Sequence, residues 1–441
     1  MMADMLQGLE LPRGLHDVDA AFMTEVLRQS GVIAATNEVV SQEEKGVGMT
    51  AGYFSAIKKV KCTYKDATDA PDSFVVKGWP LFEILPKENL RAIFVKDIKA
   101  YLFPAEHFYP RPKALLAAFD APNDRWALVM EDADTFAEHK VHEHELTVNE
   151  LMRMVPKLVD VAVAWEGCHE GEKARQLEDL GVDLWASDAN LGLYKSVMPG
   201  GAKLFDKLTT LSDSSLVGPA PWDVELGGPG MCEMFTKKID AFFESAHPAR
   251  GATCTLSHGD LRGDNIFFCE AGPEYPDGWL CIDFQLMFRG PVPSDLAYLM
   301  GTGSVLPEVY TGDNMQKIVR SFYDQFMEKT HLYKDYPYEQ FMREYAMMTT
   351  VHFMYAIGMG AAIFKASAFE NAQGARVELG GKGATEADLS PEELRQRMWW
   401  RKMVANYREN FKTFDHYELL KRLPENLEGL GAWSELPDHL R

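Results

Sequence analysis

The chain has 441 residues, 46% hydrophobic and 25% charged, which is long for one core and gives room for two lobes or domains. Its 45 Lys and Arg against 66 Asp and Glu leave a net charge of −21, which argues against a phosphate-binding nucleic-acid surface and for solubility, and favours a cationic partner. Six Cys without CxxC spacing, and a start, MMADMLQGLELPRG, that contains acids and no apolar core, predict reduced thiols in the cytoplasm and no signal peptide.

Taken in order, Asp17–Gln29 carries Val18, Phe22, Val26 and Leu27 at helical spacing and predicts an amphipathic opening helix. Val39–Tyr64 reads strand, glycine turn, strand, with Gly46, Gly48 and Gly52 in the turn and Val60, Cys62 and Tyr64 alternating with polar neighbours. A glycine cluster lets backbone N–H groups approach phosphate, but this one leads into a period-2 strand, so it fits a phosphate lid or an ordinary hairpin turn and not a dinucleotide fingerprint. Ser73-Phe74-Val75-Val76-Lys77 is a short apolar strand ending in an ammonium. In the helix predicted over Lys87–Phe103, Asp97 shares the apolar face of Leu90, Phe94, Ile98 and Tyr101. A carboxylate there is costly unless a cation meets it, and Lys77 is the natural partner, with Glu88 as another candidate acid. Arg125–Met130 is a further apolar strand, cut off by the polar run Glu131-Asp132-Ala133-Asp134, which marks the lobe boundary.

From Thr147 onward the signals are mostly helical: Leu151–Trp165, with Pro156 as a kink or a start, then Ala186–Leu211 and Met231–Ser245. In Leu256–Met300, His258 and Asp260 lead a polar loop, and Asn265 stands five positions after Asp260. Two apolar runs follow, Ile266-Phe267-Phe268 and the run closed by Asp283, joined by the Pro- and Gly-containing connection Ala271–Gly278. That is a hairpin, and it brings Asn265 and Asp283 close together. Ser294 is read as the N-cap of a helix Asp295–Met300. Met315–Lys329, Glu339–Phe364 and Pro391–Phe414 complete the helices around a polar stretch, Asn371–Asp388. Tyr345–Phe364 has the length of a membrane span, but His352, Gly358 and Gly360 within it predict a buried helix and no membrane partner.

Phosphoryl transfer needs an acceptor hydroxyl held in line, a carboxylate to take its proton and hard oxygen ligands for Mg²⁺. An Asp-x-x-x-x-Asn loop with an Asp on a neighbouring strand supplies these. His258-Gly259-Asp260-Leu261 and Asp283-Phe284-Gln285 resemble the loop and metal motifs of the CHK or ecdysteroid-kinase-like branch of the aminoglycoside phosphotransferase and choline kinase superfamily. The resemblance implies a protein-kinase-like α+β fold of two lobes, a small antiparallel sheet with one helix over residues 1–131 that binds nucleotide and a larger helical lobe over 132–441 that holds the acceptor. It implies an ATP- and Mg²⁺-dependent phosphotransferase for a small-molecule alcohol, with Asp260 as base beside His258 in a catalytic loop and Asn265 and Asp283 on the metal. Gly46, Gly48, Gly52, Lys77 and Asp97 would serve the phosphates, and Met130, Glu131 and Ala133 the adenine. Asp295 would buttress the catalytic loop. The family places Glu where this chain has Asp97. A chain of this fold that binds without turnover is the alternative, and the lack of an Ala-Pro-Glu segment after Asp283 disfavours a protein kinase.

Overall fold

A computed structural model describes residues 8–46, 56–79, 87–139, 145–210, 229–302, 304–363, 391–416 and 421–423. The chain divides into two compact units, one of Met1–Glu143, Asp179–Gly181 and Asn265–Leu286, the other of His144–Glu178, Val182–Asp264 and Met287–Arg441.

The first unit is built on a five-stranded antiparallel sheet of order β1-β2-β3-β5-β4: β1 (Val39–Gly46), β2 (Ala56–Tyr64), β3 (Ser73–Gly78), β4 (Ala114–Asp120) and β5 (Arg125–Glu131). Helix α1 (Ala20–Gln29) starts three residues later than its apolar spacing suggests, because Asp19 accepts the Phe22 N–H at 2.8 Å and caps it there. Its Phe22, Met23, Val26 and Leu27 bury against Val60, Cys62, Phe74, Val76, Leu116 and Val129 of the sheet. Each such side chain contributes about 1.5–3 kcal/mol on leaving water. Helix α2 (Lys87–Ala100) buries Phe94, Ile98 and Asp97, and Trp126 of β5 stacks on Phe94 with centroids 4.5 Å apart. The same unit holds the hairpin of β7 (Ile266–Phe268) and β8 (Trp279–Cys281), paired Ile266 with Cys281 and Phe268 with Trp279.

The second unit is mainly helical. Its α3 (Val148–Ala164) opens with a capping box between Thr147 and Glu150, and Pro156 lies inside it, not at its start. There follow α4 (Gly171–Glu178), α5 (Asp188–Thr210), α6 (Pro229–Ser245), α7 (Ser294–Gly301), α8 (Asn314–Lys329), α9 (Tyr338–Ile363) and α10 (Pro391–Phe414). Helix α9 packs against α5 and α7 and buries Tyr345, Met348, Val351 and Met354; no described helix is long and apolar enough to cross a membrane. A two-stranded ladder, β6 (Thr255–Ser257) with β9 (Phe288–Gly290), was not visible in the sequence. Ser294 is not the N-cap of α7: Pro293 holds that position, and the Ser294 hydroxyl donates instead to Pro291 O at 2.5 Å. The stretch Asn371–Asp388 lies outside the described residues. A small antiparallel sheet followed by a mainly helical unit is the α+β composition the sequence predicts.

Candidate active site

Strand β3 delivers Lys77 into the interior of the first unit, where it is 2% exposed. An ammonium cannot stay there alone. Its Nζ lies 2.9 Å from Asp97 Oδ2 on α2 and 3.0 Å from Asp283 Oδ1, just past β8. Burial pulls the Lys77 ammonium down, but the carboxylates of Asp283 and Asp97 outweigh it and hold it above its ordinary value. Burial, with repulsion from Asp283, pushes the Asp97 carboxyl up against the pull of Lys77. Two acids on one base leave the cluster one negative charge in excess.

Asp97 has a second task. Its Oδ1 accepts the Phe284 N–H at 3.0 Å, so one carboxylate fixes both the lysine and the backbone of the Asp283-Phe284-Gln285 motif. The Phe284 ring is fully buried against Tyr101, Phe108 and Tyr109, with centroids 5.8, 5.1 and 6.2 Å away. Asp283 itself sits at φ 74°, a conformation unusual for a residue with a side chain. Strain of this kind persists only where the surroundings impose it. Here they do, since Gln285 Nε2 donates to Asp283 Oδ2 at 2.9 Å while Lys77 holds the other oxygen. The Ile282 N–H donates to Asn265 O at 3.0 Å, so the hairpin brings the two expected metal ligands to adjacent strand ends.

Lys77, Asn265 and Asp283 line a cleft of about 620 Å³ whose walls include Ile57, Val75, Phe267 and Ile282 and the segment Met130–Asp134. Met130 is buried, with its Sδ 3.5 Å from the Tyr101 hydroxyl, and Ala133 packs with Phe267 and Leu280. Burial pushes the Glu131 carboxyl up. Sequence reasoning missed Lys59 on this wall; its Nζ bonds Asp132 Oδ1 at 2.8 Å and also meets Asp134. Only the alternation of β2, which turns Lys59 away from Val60, hinted at it. Of the glycines, Gly46 ends β1 opposite Lys58, and Gly48 and Gly52 lie outside the described residues. The side chain of Glu88 does too.

In the second unit the loop after β6 is held from α7. The Asp295 carboxylate accepts the His258 N–H at 2.9 Å and the Gly259 N–H at 3.2 Å. Gly259 has φ 80°, which a side chain resists, so glycine suits this bend where protein kinases carry Arg. His258 is 0% exposed, and its Nδ1 accepts the Asp260 N–H at 3.3 Å. Asp260 Oδ1 receives the Tyr298 hydroxyl at 2.7 Å and lies 3.5 Å from Arg262 Nε. Neither Tyr298 nor Arg262 was singled out from sequence, since both contacts depend on tertiary packing.

The model of the ecdysteroid kinase-like family matches residues 193–335. Comparison with curated proteins finds no match. Among solved structures, the chain is similar to a GDP complex of an aminoglycoside 2′-phosphotransferase at 11% identity and TM-score 0.44, covering 89% of this chain and 99% of the other. An ethanolamine kinase from Plasmodium vivax is similar at 11% identity and TM-score 0.42, over 84% of this chain and 89% of the other. A spectinomycin phosphotransferase in complex with ADP and spectinomycin is similar at 9% identity and TM-score 0.40, over 88% and 99%. The matched stretch, about a third of the chain, contains His258, Asp260, Asn265, Asp283 and Asp295, and it is similar to the ecdysteroid kinase-like family.

Proposed function

We propose that the chain is an ATP- and Mg²⁺-dependent phosphotransferase that phosphorylates a hydroxyl of a small molecule, with residues 1–131 as the nucleotide-binding lobe and 132–441 as the catalytic and acceptor-binding lobe. The observation that carries this reading is the Lys77 ammonium clamped between Asp97 and Asp283 in the same cleft as Asn265 and the Met130–Asp134 segment. Nucleotide phosphates need a cation held without freedom to wander, and this clamp provides one.

The donor set suits magnesium. No three His, Cys, Asp or Glu side chains gather as a metal site among the described residues. Magnesium is commonly bound by one or two protein oxygens plus substrate phosphates and water. Asn265 and Asp283 would hold it. Mg·ATP, when bound, supplies the phosphoryl group and neutralises its charge. Lys77 would hold the α- and β-phosphates, with Asp97 fixing its position, and the expected phosphate contacts of Gly46, Gly48 and Gly52 belong to the same reading. Main-chain groups of Glu131 and Ala133 bond adenine, and Met130 packs near it. Asp260 takes the proton of the acceptor hydroxyl. His258 serves beside it in the catalytic loop, where its Nδ1 accepts the Asp260 N–H and braces that backbone. The acceptor is an alcohol, and the net charge of −21 favours a cationic one.

ADP release over a panel of amino alcohols, aminoglycosides and steroid alcohols, with and without magnesium, tests the activity. Asp283→Ala is expected to abolish magnesium-dependent ADP binding and turnover. Asp260→Asn is expected to leave Mg·ADP affinity nearly unchanged and to lower kcat by about 10²- to 10⁴-fold, the range for losing a general base. Full metal-dependent activity in Asp283→Ala, or an Asp260→Asn variant that loses nucleotide binding but keeps kcat, would refute these roles.

A further inference from the structure

Within the second unit, α7 reaches the loop twice. Asp295 and Tyr298 are three residues apart, so they stand on one face of the helix. Asp295 takes the loop backbone at His258 and Gly259, and Tyr298 takes the side chain of Asp260 at 2.7 Å. Tyr298 is buried, and its ring meets His352 of α9 edge-on, centroids 4.9 Å apart at 75°. Every residue of α7 from Ser294 to Gly301 is buried, which makes the helix a rigid platform. Burial and the Asp260 carboxylate drive the Tyr298 phenol well above its ordinary value, so its hydroxyl keeps its proton and can only donate to Asp260.

An aspartate carboxylate turns easily about its last torsion, and a base that must meet an acceptor hydroxyl within about 3 Å gains from losing that freedom. We propose that Tyr298 is a positioning residue for Asp260: its hydroxyl ties down Oδ1, so that α7 sets the orientation of the carboxylate as well as the path of the loop. This rests on Asp260 being the base.

The test is a double-mutant cycle read as ADP release from Mg·ATP, with water as acceptor and again with the best alcohol of the panel. Tyr298→Phe keeps the ring and deletes the donor. In the otherwise native chain it is expected to lower kcat about 10- to 100-fold, the worth of a hydrogen bond to a charged group, while Mg·ADP affinity and the thermal midpoint change little. In an Asp260→Asn background the same substitution is expected to change kcat by less than about 3-fold, because its target is already disabled. Equal losses in both backgrounds, or no loss in the native one, would overturn the proposal while leaving Asp260 as base. If Asp260→Asn alone keeps native kcat, the base assignment falls and the proposal with it.

Discussion

The clamp around Lys77 makes a quantitative prediction through Asp97→Asn. The native carboxylate uses Oδ2 for Lys77 and Oδ1 for the Phe284 N–H, at 2.9 and 3.0 Å. An amide has one acceptor oxygen. If it keeps Phe284, its NH₂ faces the ammonium; if it keeps Lys77, the backbone N–H is left buried and unpaired. Breaking a buried ion pair from one side costs about 3–5 kcal/mol. Lys77 retains Asp283 at 3.0 Å, so the lower end, about 3 kcal/mol, applies here. At about 2–4 °C per kcal/mol for a unit of 150–250 residues, the midpoint of the first unit should fall by about 6–12 °C. Lys77→Met should cost a similar amount, because it leaves Asp97 buried without its cation. The double variant should then be more stable than the sum of the two losses by about 2 kcal/mol, as neither leaves the other's charge stranded. Calorimetric unfolding of the four proteins measures this coupling. Losses that add to within about 0.5 kcal/mol would refute it, since independent sites behave that way.

Two further outcomes are open to direct measurement. Asp295→Asn can satisfy only one of the His258 and Gly259 N–H groups through its oxygen; leaving the other unpaired should cost about 1–3 kcal/mol, seen as a lower midpoint with Mg·ADP affinity retained. Burial lowers the imidazoles of His352 and His416 from 6.5 to about 3, so both stay neutral in the fold while the unfolded chain takes up protons. The stability they contribute is therefore full above pH 6.5 and is lost as pH falls toward 3, by at most about 1.4 kcal/mol per pH unit for each. In guanidinium titrations at several pH values, His416→Phe, which keeps the aromatic contacts with Tyr345, Phe411 and Phe414, should flatten that slope; an unchanged slope would exclude His416 as a source.

What was legible in the sequence was whatever has a local signature. Ile266-Phe267-Phe268 and the run before Asp283 flank a turn-rich connection, which predicted a hairpin, and the fold forms it with Ile266 paired to Cys281. Asp97 on an otherwise apolar face demanded a cation, and Lys77 provides it at 2.9 Å. Elements without period or length stayed hidden. The strands Thr255–Ser257 and Phe288–Gly290 have three residues each and find one another only through tertiary packing. Helix α4 is short and largely polar, and buries only Ala174 and Leu177. Ser294 carried a genuine capping preference, but Pro291 offered its hydroxyl a competing carbonyl.

At position 97, where the resemblance implies glutamate, the fold holds the shorter aspartate in direct contact with two partners. A glutamate at this position would carry its carboxylate one methylene further from the helix. In the fold, position 97 is 1% exposed, and its two oxygens already reach Lys77 Nζ and Phe284 N. A longer side chain would have to fold back or push β3 and the Asp283-Phe284-Gln285 segment outward, at the roughly 1–3 kcal/mol that overpacking costs. The shorter acid therefore matches the spacing of α2 from Lys77 and Phe284 in this fold. That spacing lets one carboxylate hold a strand-end lysine and the Phe284 backbone at once, and it couples the position of Lys77 to that of Asp283.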